Sequence, residues 1–318
     1  MPHTGAPAML EAEEVRVVKR LGVCALGLGL VLGLCGASAS AGPRGAGTIA
    51  FARGSSAGRY DVSVVSPTGR QLRRLTRSCM WNWWPDWSPD RTRVVFARAC
   101  GDGNFHLYVI GASGRGLRRL THGAALDQWP SWSPDGKRVA FIRGTGAGAE
   151  LYTVGAGGTG LRRLTRNRFE DFTPAWSPDG RRILFTTAHG SARRGLMMTI
   201  PASGGTARAL GGVLGGEPAW SPDGRRVAFA RGVHGASRET TNIFVANVDG
   251  TGVRQLTHER IGTVSQHPSW SADGRSIVFM SNRGPNLDHG ASLWVVSPVT
   301  GGLRRLTTST YEDVDPDW

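Results

Sequence analysis

Carboxylates recur at fixed distances from proline in this chain. Asp127, Asp171 and Asp313 each stand three residues before a proline, where two further segments carry Gly215 and Ser265 and another carries Asn82. Glu217 and Asp315 stand directly before theirs. Oxygen ligands brought together from several segments suit a hard cation such as calcium. The competing reading is that each carboxylate caps nearby backbone N–H groups and shapes its own loop. A second concentration is aromatic: "CMWNWWPDW" places Trp81, Trp83, Trp84 and Trp87 within seven positions. Grouped aromatic faces offer stacking area to a peptide, an apolar side chain or a sugar ring.

Both groups must be positioned by something, and the sequence repeats. "PDWSPDRTRVVFAR" (85–98), "PSWSPDGKRVAFIR" (130–143), "PAWSPDGRRILFTT" (174–187), "PAWSPDGRRVAFAR" (218–231) and "PSWSADGRSIVFMS" (268–281) are one unit. Between them recurs "LRRLT" (72–76, 117–121, 161–165, 303–307), with "VRQLT" at 253–257 and a worn "ARALG" at 207–211. Each unit reads as four short strands, A to D. Pro-x-Trp lies on A, Ser-Pro-Asp-Gly forms a type I turn, "RVAF" is B, and LRRLT is D. Four-stranded units at this period are propeller blades. The first unit, "GTIAFAR" (47–53), has a strand B without an A, and the last, "DVDPDW" (313–318), has an A without a B. The halves complement each other, so the C-terminal strand pairs with the N-terminal one in an all-β, six-bladed propeller closed without open edges. Trp87 and its equivalents Trp132, Trp176, Trp220, Trp270 and Trp318 then belong between blades.

The repeated W-S-P-D-G with L-T, over residues 47–318, resembles the TolB-like propeller family, the WD40-like repeats also found in propeller domains of prolyl oligopeptidases. The resemblance implies the fold. It carries the family's roles weakly, because the companion α/β domain of TolB and the hydrolase domain of the peptidases have no counterpart in the sequence.

In such a fold the D–A and B–C loops emerge at one end and the tight A–B and C–D turns at the other. The long, irregular connections, such as 231–242 and 282–292, share the first end, where binding is expected. Trp81, Trp83 and Trp84 fall in the first D–A loop. Trp129 takes the place of Trp84 in the next blade, and Phe105 and Phe172 are near by loop position. These six form the expected partner-binding platform; the alternative is that they plug the channel or shield a disulfide. Asp127, Asp171, Glu217, Asp313 and Asp315 form the candidate acidic entrance. "GSSAG" (54–58) joins antiparallel strands and "GAGGTG" (155–160) is a C–D turn, so neither is a nucleophile elbow or a dinucleotide loop. The histidines make no metal motif by spacing.

At the N-terminus, Arg16, Lys19 and Arg20 precede an apolar run, Leu21–Leu34, and then "CGASASAG". This reads as a signal peptide over 1–41, with an uncleaved anchor as the alternative, followed by a short linker, 42–46. Export makes a Cys79–Cys100 disulfide the expectation. The formal charge is +14, almost all from arginine placed on edge strands and turns. That placement suits solubility and a weak attraction to anionic envelope polymers, and not nucleic acid. The chain is expected to be a monomeric, exported propeller of the periplasm, envelope or exterior, non-catalytic and without a cofactor, binding a protein or peptide in the envelope. Its rival is a propeller enzyme or carbohydrate-binding protein with a metal, such as calcium, in the axial funnel.

Overall fold

The computed structural model describes residues 47–77, 80–101, 103–188, 195–232, 240–283, 290–308 and 310–318. The expected leader and linker (1–46) and the tips of the connections at 233–239 and 284–289 lie outside the described residues. Among the described residues, twenty-four strands, β1–β24, form six four-stranded antiparallel sheets. Five blades are consecutive quartets. The remaining one joins β24 (Asp313–Asp317) to β1 (Ile49–Gly54), followed by β2 (Tyr60–Val65) and β3 (Arg73–Arg74), as the incomplete ends require. The innermost strands are β4 (Trp81–Trp87), β8 (Asp127–Trp132), β12 (Asp171–Trp176), β16 (Gly216–Trp220), β20 (Ser265–Trp270) and β24. Each touches the next, so they close a ring.

The repeated residues hold this ring in repeated ways. Trp220 packs among Ala175, Leu184 and Met197 of one blade and Val227 and Phe229 of the next, while Trp87, Trp270 and Trp318 fill equivalent seams. In four of the five A–B turns the closing arginine lies over the tryptophan of the following blade: Arg93 on Trp132, Arg138 on Trp176, Arg182 on Trp220 and Arg226 on Trp270, 4.8–5.3 Å from the ring centroids. Such cation–π contacts contribute about 0.5–2 kcal/mol each. Within the turn, the Ser133 hydroxyl donates to Asp135 at 2.5 Å and accepts the Arg138 N–H, and all five Ser-x-Asp turns repeat this.

LRRLT is shorter as a strand than the sequence implies. Only Arg73–Arg74, Arg118–Arg119 and Arg162–Arg163 pair in their blades. The reason is the threonine. Its side chain replaces the ladder: Thr121 Oγ1 accepts the Leu107 N–H at 2.9 Å, and Thr76, Thr165, Thr257 and Thr307 do the same for Val62, Leu151, Ile243 and Leu293. The worn repeat, ending in Leu-Gly, lacks that threonine, and there strand pairing runs on as β15 (Arg208–Leu214). Replacing Thr121 by valine leaves the buried Leu107 N–H without its acceptor. We expect a loss of about 1–2 kcal/mol in urea unfolding, restored by serine. The arginines also do more than keep edges soluble. Arg73, Arg118 and Arg304 donate to carbonyls of the neighbouring C–D turns (Ala112, Ala156 and Pro67, 2.6–2.9 Å), stapling blade to blade around the rim.

Candidate functional site

Every inner strand is interrupted at the same place. The register between A and B strands slips between the second residue before proline and the residue after it, for example Trp83/Asp86 and Gln128/Ser131. The residue directly before proline takes up the slip in the left-handed region: Trp84, Trp129, Thr173, Glu217, His267 and Asp315 have φ of 46° to 57°. A non-glycine residue there costs about 1–2 kcal/mol, more for β-branched threonine. Six such residues, one per blade, form a strained inner ring, and strain of this kind concentrates at functional sites.

The ring is divided by chemistry. On one arc Trp84 and Trp129 meet at 5.2 Å between centroids, and Trp129 packs edge-on to Phe172 at 5.5 Å. Trp83 stacks on Phe105 at 5.4 Å and Trp81 stacks on Trp83 at 6.0 Å, with the Tyr60 ring edge against Trp83. All six aromatic candidates therefore share one cluster, and Tyr60 joins them unforeseen. Their placement differs from the sequence reading in one respect. Trp81, Trp83 and Trp84 lie on β4 itself and not in the loop before it, because the strand extends through the slip. Phe105 likewise begins β6 (Phe105–Gly111). Trp84, Trp129 and Phe105 are buried at 1%, 5% and 5% exposure, whereas Trp81, Trp83 and Phe172 are half-buried. The former make a base and the latter present faces.

The other arc is polar. The backbone N–H of His267 donates to Glu217 Oε2 at 2.7 Å, and its ring stands 3.8 Å from Glu217 Oε2 and 3.4 Å from Asp315 Oδ1. Asp315 Oδ2 in turn accepts the Trp84 N–H at 3.4 Å, closing the ring back onto the aromatic arc. Burial holds the His267 imidazole well below its ordinary pKa and so neutral. Burial also pushes Asp315 well above the usual carboxylate range, with Glu217 and Glu312 adding to the rise. Tyr60 donates to Glu312, and its phenol is raised by burial and then by that carboxylate.

The three aspartates three residues before proline are placed differently from Glu217 and Asp315. They sit between strands A and B, fully buried. Asp127 is gripped by Arg143 (2.6 and 2.9 Å) and Asp313 by Arg53 (2.6 and 2.7 Å), both through two bonds. Asp171 faces Thr187 where the others face arginine, and it accepts from Asn167 at 3.1–3.2 Å. Burial pushes its carboxyl up to about 6. The five acidic candidates therefore form no single acidic entrance. Among the described residues, no group of three or more His, Cys, Asp or Glu side chains is arranged to hold a metal ion. Cys100 accepts from Arg98 Nε at 3.2 Å, and Cys79 lies outside the described residues.

Comparison with known proteins bears on the fold and the family. The TolB beta propeller domain matches residues 49–210, just over half of the chain. No curated protein matches the chain. Among solved structures, TolB from Acinetobacter baumannii superposes with a TM-score of 0.73 at 21% identity, covering 86% of this chain. The chain spans 66% of that protein's length, just under two thirds. Hydrazine synthase from Kuenenia stuttgartiensis superposes at 0.66 with 14% identity, over 85% of this chain and 46% of that one. An oligogalacturonate lyase from Vibrio parahaemolyticus does so at 0.56 with 13% identity, over 86% and 77%. Identities this low show the fold alone, and these neighbours differ in what they do, so the propeller by itself selects no activity.

Proposed function

Since the chain belongs to the TolB beta propeller family, we propose that it is an exported, non-catalytic propeller of the cell envelope. It holds a protein or peptide partner at the end where its D–A and B–C connections emerge. The observation that supports this reading is the aromatic arc: Trp81, Trp83 and Phe172 offer partly open faces, and the buried Trp84, Phe105 and Trp129 keep them rigid. Rigid aromatic anchors on a preformed base lose little freedom on binding and are the residues that dominate interface energetics. The signal peptide over 1–41, the Cys79–Cys100 bridge and a monomeric state belong to the same proposal. A bridge there would tie the start of β4 to the end of β5 (Arg93–Ala99), directly beside the platform.

The test is a pull-down from envelope extract of the source organism, comparing the chain with its Trp81→Ala/Trp83→Ala variant. Trp84 is left in place, because its burial makes its removal a test of folding. A retained protein should fall about thirtyfold or more with the variant, the scale of a hot-spot residue. Equal retention by both forms, or no specific retention, would remove the platform reading.

A further inference from the structure

We propose that the end of the propeller carrying the A–B and C–D turns docks on an anionic lipid surface, with the aromatic platform at the opposite end left open to its partner. The turns of this end are described in full. The first argument is the repeat itself. LRRLT holds two leucines, and they have opposite fates. The second (Leu75, Leu120, Leu164, Leu306) is buried wherever it occurs, at 1–8% exposure. The first (Leu72, Leu117, Leu161, Leu303) stays 40–49% exposed, and Val253 takes its place at 41% in the VRQLT repeat. A polar residue would serve the edge of a blade at that position. Five blades instead set an apolar side chain on the rim, directly after a C–D turn. Val299, in the last of those turns, is 77% exposed.

The second argument is charge. The A–B turns set one aspartate near one cation, as Asp135 near Lys137 and Asp223 near Arg225, and so are balanced. The surplus comes from the C–D side. Arg70 and Arg115 are exposed in their turns. Arg73, Arg118 and Arg304 donate to carbonyls, which fix a guanidinium without neutralising it. Apolar side chains set among fixed cations suit an anionic lipid surface, where the cations meet headgroups and the leucines enter below them. A soluble acidic polymer would engage the arginines alone. Connectivity is the third argument. Gly47 lies beside Arg91 of an A–B turn, and Arg91 Nη1 donates to the Thr48 carbonyl at 3.1 Å. The apolar run Leu21–Leu34 is therefore joined to the fold at this same end, through residues 35–46. Those residues reach at most about 43 Å when fully extended.

The experiment follows amide hydrogen exchange of the full chain by mass spectrometry, on vesicles of phosphatidylglycerol and, separately, of phosphatidylcholine. Amides of 66–72 and 111–117 should exchange about tenfold more slowly on phosphatidylglycerol, the scale of one to two cations at an anionic surface. Those of 81–84 should not differ, and high salt should remove the difference. Arg70→Glu/Arg115→Glu should abolish it. Leu72→Asp/Leu117→Asp should abolish it too, with an unchanged urea midpoint showing that the blades still fold; Leu72→Ser/Leu117→Ser is the milder form. The leader is common to every form, so its own insertion cannot produce the differences between variants. Equal exchange on the two vesicles, or slowing confined to 81–84, would overturn the proposal. So would equal slowing by soluble polyphosphate that the leucine variants leave intact, which would make this end a site for acidic polymers.

Discussion

Replacing Asp313 by alanine is expected to lower the free energy of unfolding by about 3–5 kcal/mol, the scale for breaking one side of a buried ion pair. Asp313 is fully buried on β24, and Arg53, its directly paired partner on β1, reaches it through Nε and Nη2 at 2.6 and 2.7 Å. Burial pushes the Asp313 carboxyl up more than Arg53 pulls it down. The intact pair is therefore of modest net value, while the unpaired guanidinium is costly. Removing both partners, as Arg53→Leu/Asp313→Leu, should cost clearly less than removing Asp313 alone. The pair also joins strands 260 residues apart, so its loss weakens the closure of the ring. Asp127→Ala breaks the same arrangement between adjacent strands, 16 residues apart, and serves as the control without closure. Urea unfolding of the three variants beside the unaltered protein decides the matter. A loss below about 1 kcal/mol for Asp313→Ala, or a double variant as unstable as the single, would refute the account.

The parts of this fold that the sequence disclosed are those in which one residue type does one job in every blade. Trp132 and Trp176 fill equivalent seams, Ser133 and Ser177 make equivalent turns, and the unmatched ends declare the pairing of β24 with β1. The inner ring stayed hidden for the converse reason. Read blade by blade, the residues before proline are Trp, Trp, Thr, Glu, His and Asp, which share no side-chain chemistry. What they share is a backbone conformation imposed by the slipped register, and residue type does not report it. Alignment on the prolines pairs Trp84 with Trp129 and Glu217 with Asp315, but the positive φ common to all six positions appears only in the structure. That alignment also separates Glu217 and Asp315, which lie on the ring, from Asp127, Asp171 and Asp313, which lie between strands. The arginines misled differently. An exposed arginine reads as solubility whether or not its guanidinium reaches the next blade, and Arg118 reaching Ala156 is visible only once the blades are side by side.

Asp171 shows what the missing arginine means. Asp127 and Asp313 each face an arginine in register, while Asp171 faces Thr187 and receives only neutral donors such as Asn167. Its carboxyl is accordingly pushed up to about 6 from the ordinary 3.8, burial being the main cause. A carboxyl whose pKa is higher folded than unfolded favours folding below the unfolded value, and that contribution is lost as pH rises through about 6. At pH 7.5 the ionised, buried Asp171 therefore costs about 3 kcal/mol, by the conversion of about 1.4 kcal/mol per pKa unit. Asp171→Asn removes the charge and keeps an acceptor for Asn167. It should stabilise the protein by up to that amount at pH 7.5 and change little at pH 4, where the native carboxyl is already protonated. Thr187→Arg supplies the partner that the other two aspartates have, and should likewise stabilise at pH 7.5 by pairing the charge instead of deleting it. The double variant should gain less than the sum, because asparagine leaves the new guanidinium with no carboxylate to hold. Unfolding midpoints at the two pH values test this directly. Equal effects of Asp171→Asn at pH 4 and pH 7.5 would mean that Asp171 is as well compensated as Asp127, by a donor other than arginine.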